Sequence, residues 1–285
     1  MARSSPSPLR VSRESIMNVT KDIIRKYHLK TPCETCSNFS RCSLVGSAAF
    51  TVMGPHCTRK CGFCAVKHHK KPKRPDRLEP ERLAVTVRAL GLRHVILTTV
   101  SRDDLKDMGA THLAECIHSV KCLNPGTVVE VFIPDFNCRR ELIKKVVDAR
   151  PDIIGHSIET VRRLQPIVRD RKAGYRESLR AIRTIRSLSR NIIIKTSLMI
   201  GFRENRYEVL GALRNLRKAG ADIVSIGQYN RPSKNHLRVL EYVSKDIFEF
   251  YEREAYQLGY RHVVSKPGAM HSYPSNEMLL LMNRQ

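Results

Sequence analysis

The sequence predicts an α/β protein in which six β-α units build a parallel sheet covered by helices. Three observations predict it. Short apolar runs alternate with amphipathic segments along most of the chain. Those runs are near-continuous in Val, Ile and Leu, as in Val95-Ile96-Leu97 and Ile192-Ile193-Ile194, the pattern of strands buried on both faces. No apolar run approaches the ~18 residues that cross a bilayer. A closed eight-unit barrel needs more chain, so the architecture is an open, partial barrel or a doubly wound sheet, which periodicity does not separate.

In chain order, residues 1–15 read as a disordered basic terminus. The first thirteen carry three Arg, four Ser and no acid, the composition of a short transit peptide or of a plain basic tail. Residues 15–29 predict a helix from the spacing of Ile16, Val19, Ile23 and Ile24, and a cysteine-rich stretch follows. Strands are expected near 49–53, 94–99, 127–133, 152–156, 192–200 and 222–227. Helices are expected near 80–91, 109–122, 139–149, 174–189, 205–219 and 244–258. The organisation expected is thus a terminus (1–15), an N-terminal extension (16–48), the six-unit body (49–260) and a C-terminal extension (261–285).

Lys and Arg number 51 against 27 Asp and Glu, a net charge of +24, which calls for an anionic partner or substrate. Arg176, Arg180, Arg183, Arg186 and Arg190 share one side of a predicted helix, with Ile182, Ile185 and Leu188 on the other. Nucleic acid is one candidate partner and an acidic protein another. Six of the nine cysteines fall between residues 33 and 64. An odd total, with no signal-peptide core, argues against a secreted disulfide framework and for metal binding. Cys116, Cys122 and Cys138 read as packing residues.

Both candidate architectures place active groups at the carboxyl ends of strands. Directly after the first strand stands Cys57-Thr58-Arg59-Lys60-Cys61-Gly62-Phe63-Cys64, a C-x3-C-x2-C triplet. Structural zinc wants four ligands, and no fourth Cys or well-spaced His completes this loop, His56, His68 and His69 being the nearest candidates. Three thiolates on a 4Fe-4S cluster would instead leave one iron open to an exogenous ligand. Arg102, Asp103, Asp104 and Asp107 follow the second strand, Glu159 follows the fourth, and Lys195 and Ser197 lie in the fifth. Capping of the next helix is the plainer role for the acids.

The triplet resembles the signature of radical S-adenosylmethionine enzymes, with Phe63 at the aromatic position. The resemblance implies a partial (β/α)6 TIM-like barrel. With Ser101-Arg102-Asp103-Asp104-Leu105, Glu130 to Phe136, and Ile226-Gly227-Gln228-Tyr229, in matching order and spacing, the chain resembles lipoyl synthase from about residue 25 to 275. That resemblance implies two 4Fe-4S clusters: one on Cys57, Cys61 and Cys64, and an auxiliary cluster on Cys33, Cys36, Cys42 and Ser272. It implies S-adenosylmethionine contacts from Phe63, Arg102, Asp103, Asp104, Ser157, Glu159 and Lys195. The implied reaction inserts sulfur at C6 and C8 of a protein-bound octanoyl chain. Implied partners are octanoylated, acidic lipoyl-carrier proteins and an electron donor such as flavodoxin or ferredoxin, with no membrane. The implied location is cytoplasmic, or an organelle matrix if the basic terminus is a transit peptide.

The chain also departs from the family. Its auxiliary motif is C-x2-C-x5-C where the family has C-x4-C-x5-C, and Met270-His271-Ser272-Tyr273 stands for Arg-Ser-Ser-Tyr. Asp107-Met108-Gly109-Ala110 replaces a Gly-Gly pair, and Gly155-His156-Ser157 replaces Asn-His-Asn. A paralogue acting on RNA or another substrate, or a non-catalytic iron-sulfur binding protein, are the alternatives these departures raise.

Overall fold

A computed structural model describes residues 22–31, 42 and 45–269. Within them a parallel sheet of seven strands runs in the order β1, β4, β5, β6, β7, β8, β9. The strands are β1 (Ser47–Val52), β4 (His94–Thr99), β5 (Val128–Phe132), β6 (Ile153–Gly155), β7 (Ile193–Ile200), β8 (Ile223–Gln228) and β9 (His262–Ser265). A two-residue parallel pairing, β2 (His56–Cys57) with β3 (Lys67–His68), sits apart from it. The helices are α1 (Glu79–Ala89), α2 (Ala110–Leu123), α3 (Arg140–Asp148), α4 (Gln165–Val168), α5 (Tyr175–Leu188), α6 (Arg206–Ala219) and α7 (Lys245–Gln257).

The six expected strands and six expected helices are all present, with ends within two residues of those read from the sequence. The sheet runs one strand further than the six units. Residues 262–265 pair in parallel with β8, inside the stretch expected to form a C-terminal extension. Of the expected N-terminal helix, residues 22–26 are described and helical, with Ile24 buried.

Local chemistry explains the helix ends. In α6, Asn205 accepts from the Glu208 amide while Glu208 accepts from the Asn205 amide, and Gly220 follows the helix at φ 111°. α2 begins after Gly109, at φ 84°, where an added Cβ would lie 2.2 Å from Met53 Sδ. Met108, just before it, takes φ 53°. This left-handed conformation costs about 1 kcal/mol for a residue with a Cβ, and burial of the thioether offsets it.

The sheet separates two compartments. Its outer face and the helices share one large apolar core containing Leu83, Val95, Val131, Ile154, Ile182 and Leu213. Alternate residues face the lumen. There Ala49, Ile96 and Phe132 form one small cluster, and Ile153, Ile193 and Ile223 another. Beneath Phe132 lies a buried polar string. Lys195 Nζ donates to Glu130 Oε1 at 2.8 Å, Glu130 Oε2 faces His94 Nε2 at 3.2 Å, and His94 Nδ1 meets Ser47 Oγ at 2.9 Å. Burial opposes the Glu130 charge, but Lys195 and His94 outweigh it and hold the carboxyl below its usual range.

The helix carrying the arginine row is α5. Arg176, Arg180, Arg183 and Arg190 are exposed, but Arg186 is half-buried, donating to Gly220 O and pairing with Asp222. It is a structural tie between α5 and the start of β8. Cys116 is buried and Cys138 half-buried, as expected of packing residues, whereas Cys122 is exposed on the last turn of α2.

Candidate functional site

At the carboxyl ends of the strands, a cavity of about 320 Å³ opens between the tips of β1, β4, β5 and β6. Its wall includes Cys57, Cys61 and Cys64 together with Arg59, Phe63, Ser157 and Glu159. The cysteines sit on the loop that leaves β1, as their sequence position implies. In that loop Cys57, Arg59 and Cys61 face the cavity. Thr58, between them, lines a second cavity on the other side, and Lys60 is exposed.

Hydrogen bonds fix this loop from several directions. Thr58 N–H and Oγ1–H both donate to Ser101 O at 2.9 Å, beyond the tip of β4. Gly62 N–H donates to Val168 O, and Leu237 N–H donates to Gly62 O. His236 Nε2 lies 3.1 Å from Cys64 O, and Tyr229 Oη donates to Leu237 O at 2.9 Å. The segment 229–237 is therefore stitched across the loop.

The strongest tie is one that sequence reasoning did not find. Arg59 is almost fully buried, and its guanidinium bonds both oxygens of Asp135, at 2.6 and 2.8 Å. It also bonds Asp103 through Nε and Nη2 and reaches Asn137 Oδ1 at 3.2 Å. Burial works against the guanidinium charge, but Asp135 and Asp103 outweigh it and raise its pKa. Both carboxylates are held below their usual range: burial opposes the shift, and Arg59 overcomes it. A bidentate, charge-assisted pair of this kind fixes position as well as charge.

The residues expected to contact a cofactor divide. Phe63, Ser157 and Glu159 line the main cavity. Asp103 and Asp104 line the second cavity instead, Asp103 bound to Arg59 and Asp104 to Arg102 at 2.8 Å. Arg102 is fully buried and also reaches the Met53 carbonyl. Lys195 belongs to the lumen string and has its ammonium 5.7 Å from the centre of the Phe132 ring. These four shape the walls around the cavity. Cys33, Cys36 and Ser272 lie outside the described residues, and Cys42 is half-buried.

The cavity wall also includes Asp135 and His156, which the sequence reading held only as parts of family segments, and Arg169, which it did not mention. Arg169 Nη1 donates to Ser178 Oγ at 2.8 Å, Ser178 meets His156 Nε2 at 2.9 Å, and His156 Nδ1 meets Ile133 O at 2.9 Å. The carbonyl accepts, so Nδ1 carries the proton and Nε2 accepts from the serine. Burial, and then Arg169, push the His156 pKa down to about 4. Glu159 is pushed the other way, up to about 7, by burial that Arg169 only partly offsets. It takes φ 69°, held by amide bonds to and from β7.

The donor set fits an iron-sulfur cluster. Thiolates on one tetrahedral zinc, with bonds of about 2.3 Å, sit about 3.8 Å apart. Among the described residues, the set whose three ligand atoms all fall within 4.8 Å of one another is Glu79, His112 and Cys116, not the loop cysteines. In that set the carboxylate is already engaged by His112 and the Met53 amide. The loop thiols are thus spread more widely than a single ion requires, along the wall of a cavity of about 320 Å³. Burial pushes the Cys61 thiol up and the Cys64 thiol to about 11, so cluster binding must displace protons from the metal-free chain.

Comparison with known proteins agrees with this geometry. The radical SAM superfamily profile matches residues 51–216. A lipoyl synthase from Caldicellulosiruptor saccharolyticus is 42% identical over 282 residues, covering 97% of this chain and 98% of the relative. One from Methanocella arvoryzae is 42% identical over 280 residues, covering 96% and 95%. Among solved structures, an iron-iron hydrogenase maturase from Carboxydothermus hydrogenoformans superposes with a TM-score of 0.59 at 13% identity, over 96% of this chain and 84% of that one. That likeness bears on the fold, which is the partial barrel. With relatives matched over nearly their whole length and the cysteine loop at the mouth of that barrel, the chain belongs to the lipoyl synthase family of the radical SAM superfamily.

Proposed function

We propose that the chain inserts two sulfur atoms, at C6 and C8, into an octanoyl group carried on a lysine of a carrier protein. The observation that carries this reading is the placement of Cys57, Cys61 and Cys64 on one cavity wall at the barrel mouth, in a member of this family. When bound, a 4Fe-4S cluster with S-adenosylmethionine supplies the one-electron chemistry that an unactivated C–H bond demands, which no side chain offers.

The chain's own residues bind, orient and exclude water. Cys57, Cys61 and Cys64 hold the cluster, and Arg59 fixes their loop against β4 and β5 through Asp103 and Asp135. Phe63, Ser157 and Glu159 face the cofactor, with Arg169 beside Glu159. Arg102, Asp103, Asp104 and Lys195 act one step removed, by holding those walls. The auxiliary cluster on Cys33, Cys36, Cys42 and Ser272 provides the sulfur.

The carrier is an acidic lipoyl domain, suited to a chain of charge +24. The electron comes from a flavodoxin or ferredoxin. No described helix is long and apolar enough to cross a membrane, and we place the enzyme in the cytoplasm or an equivalent matrix.

The test is anaerobic reconstitution followed by two assays. About eight irons per chain are expected from two 4Fe-4S clusters, with about half lost in a C57A/C61A/C64A variant. Reduced protein should convert S-adenosylmethionine to 5′-deoxyadenosine and form lipoyl groups on an octanoylated carrier domain. Cleavage without lipoyl formation would overturn the substrate, and iron near four in the unaltered chain would overturn the auxiliary cluster.

A further inference from the structure

The cysteine loop is a wall with two sides. Its inner side faces the substrate cavity, and its outer side faces the second cavity, of about 690 Å³, lined by Thr58, His68, Lys70, Asp170, Arg171 and Lys172 along with Asp103 and Asp104. Two cationic segments border that outer side, and both are bonded to the loop itself. Cys57 pairs with His68 across β2 and β3, and His69 N–H donates to Cys57 O at 2.9 Å. Asp170 N–H lies 3.4 Å from Cys61 Sγ, and Asp170 Oδ2 accepts from the Lys60 amide at 2.8 Å.

The charge on this face is one-sided in effect. Lys60, Lys67, Lys70, Lys71, Arg171 and Lys172 are all exposed. None of the six forms an ion pair with a described residue. The acids beside them are already engaged: Asp103 by Arg59, Asp104 by Arg102, and Asp170 by the amides of Lys60 and Lys172.

We propose that this outer face is the docking surface for an acidic, low-potential, one-electron carrier protein. Reductive chemistry at the three cysteines requires one electron from outside for each S-adenosylmethionine cleaved. The donor loses one electron, and the group on Cys57, Cys61 and Cys64 gains it. A donor seated here approaches that group through the loop backbone and leaves the inner cavity open for the acyl chain, whereas a carrier domain must present its arm to the inner side. The lysine and arginine ends steer an anionic partner and make its association salt-dependent. This proposal rests on the reading that the three cysteines hold a reducible cluster.

The test uses the reconstituted full chain and flavodoxin reduced to its hydroquinone, with a Lys70→Glu/Arg171→Glu variant beside the unaltered protein. At low salt the variant should bind flavodoxin about tenfold more weakly and be reduced by it correspondingly more slowly. Cleavage of S-adenosylmethionine driven by dithionite should be unchanged, as should the KM for an octanoylated carrier domain. Carbodiimide cross-linking of the unaltered pair should join flavodoxin carboxylates to Lys60, Lys67, Lys70, Lys71 or Lys172. Equal flavodoxin affinity in the two proteins, cross-links elsewhere, or a raised carrier KM with flavodoxin binding intact would each overturn the proposal. Failure of dithionite to drive cleavage in the unaltered protein would overturn the underlying reading instead.

Discussion

Removing the Asp135 carboxylate tests whether the cysteine loop is held by charge. The side chain of Asp135 is fully buried and that of Arg59 is 4% exposed, so water does not replace the lost partner in an Asp135→Ala variant. Asp103 still faces the guanidinium, but two of its shortest bonds, at 2.6 and 2.8 Å, disappear. Breaking one side of a buried pair costs about 3–5 kcal/mol. At about 2–4 °C per kcal/mol for a chain of this class, Tm should fall by about 6–20 °C.

The pH dependence gives a second reading of the same clamp. Asp135 and Asp103 both have folded pKa values below the unfolded ones, so their stabilisation is present above the ordinary carboxylate pKa of about 4. It is lost as pH falls through the depressed folded values. The variant should lack the Asp135 share of that acid-side loss. Thermal unfolding of the metal-free chain by circular dichroism, repeated from pH 3 to 7, measures both effects. A Tm within 2 °C of the parent at pH 7 would refute the clamp.

Three other outcomes are expected. His156, with a folded pKa of about 4, binds a proton more readily in the unfolded chain, so stability should be full above about pH 6.5 and decline by about 3 kcal/mol toward pH 4. His156→Asn should flatten that slope in denaturant melts. Glu130→Ala removes the buried carboxylate paired with the Lys195 ammonium and should cost about 3–5 kcal/mol, while Glu130→Leu with Lys195→Met should recover most of it in urea unfolding. Gly155→Ala places a Cβ 2.4 Å from the Phe132 ring, and the forced movement should cost about 1–3 kcal/mol and weaken S-adenosylmethionine binding in calorimetry.

Most of the fold was legible because its strands are apolar throughout and its helices strongly two-faced. His262 to Ser265 escaped because four residues, with a histidine and a serine among them, carry too little periodicity to mark a strand; pairing with β8 is what orders them. The cysteine loop was legible because its spacing is local. Arg59 was not, since its partners stand 44 and 76 residues away. Position after a strand found Glu159 on the cavity, yet the same cue also picked out Arg102, Asp103 and Asp104, whose charges turn toward one another and Arg59. Lys195 shows the same limit: the resemblance made it a cofactor contact from its place in a strand, whereas its bond to Glu130 and its ammonium 5.7 Å from the centre of the Phe132 ring are seen only in the packing.

The string from Ser47 through His94 and Glu130 to Lys195 lies deeper in the lumen than the cavity. The small clusters of Ala49, Ile96 and Phe132 and of Ile153, Ile193 and Ile223 share the lumen with it, and its polar groups are already bonded to one another. A ligand entering at the strand tips therefore meets, at that depth, side chains whose polar groups are already engaged with one another.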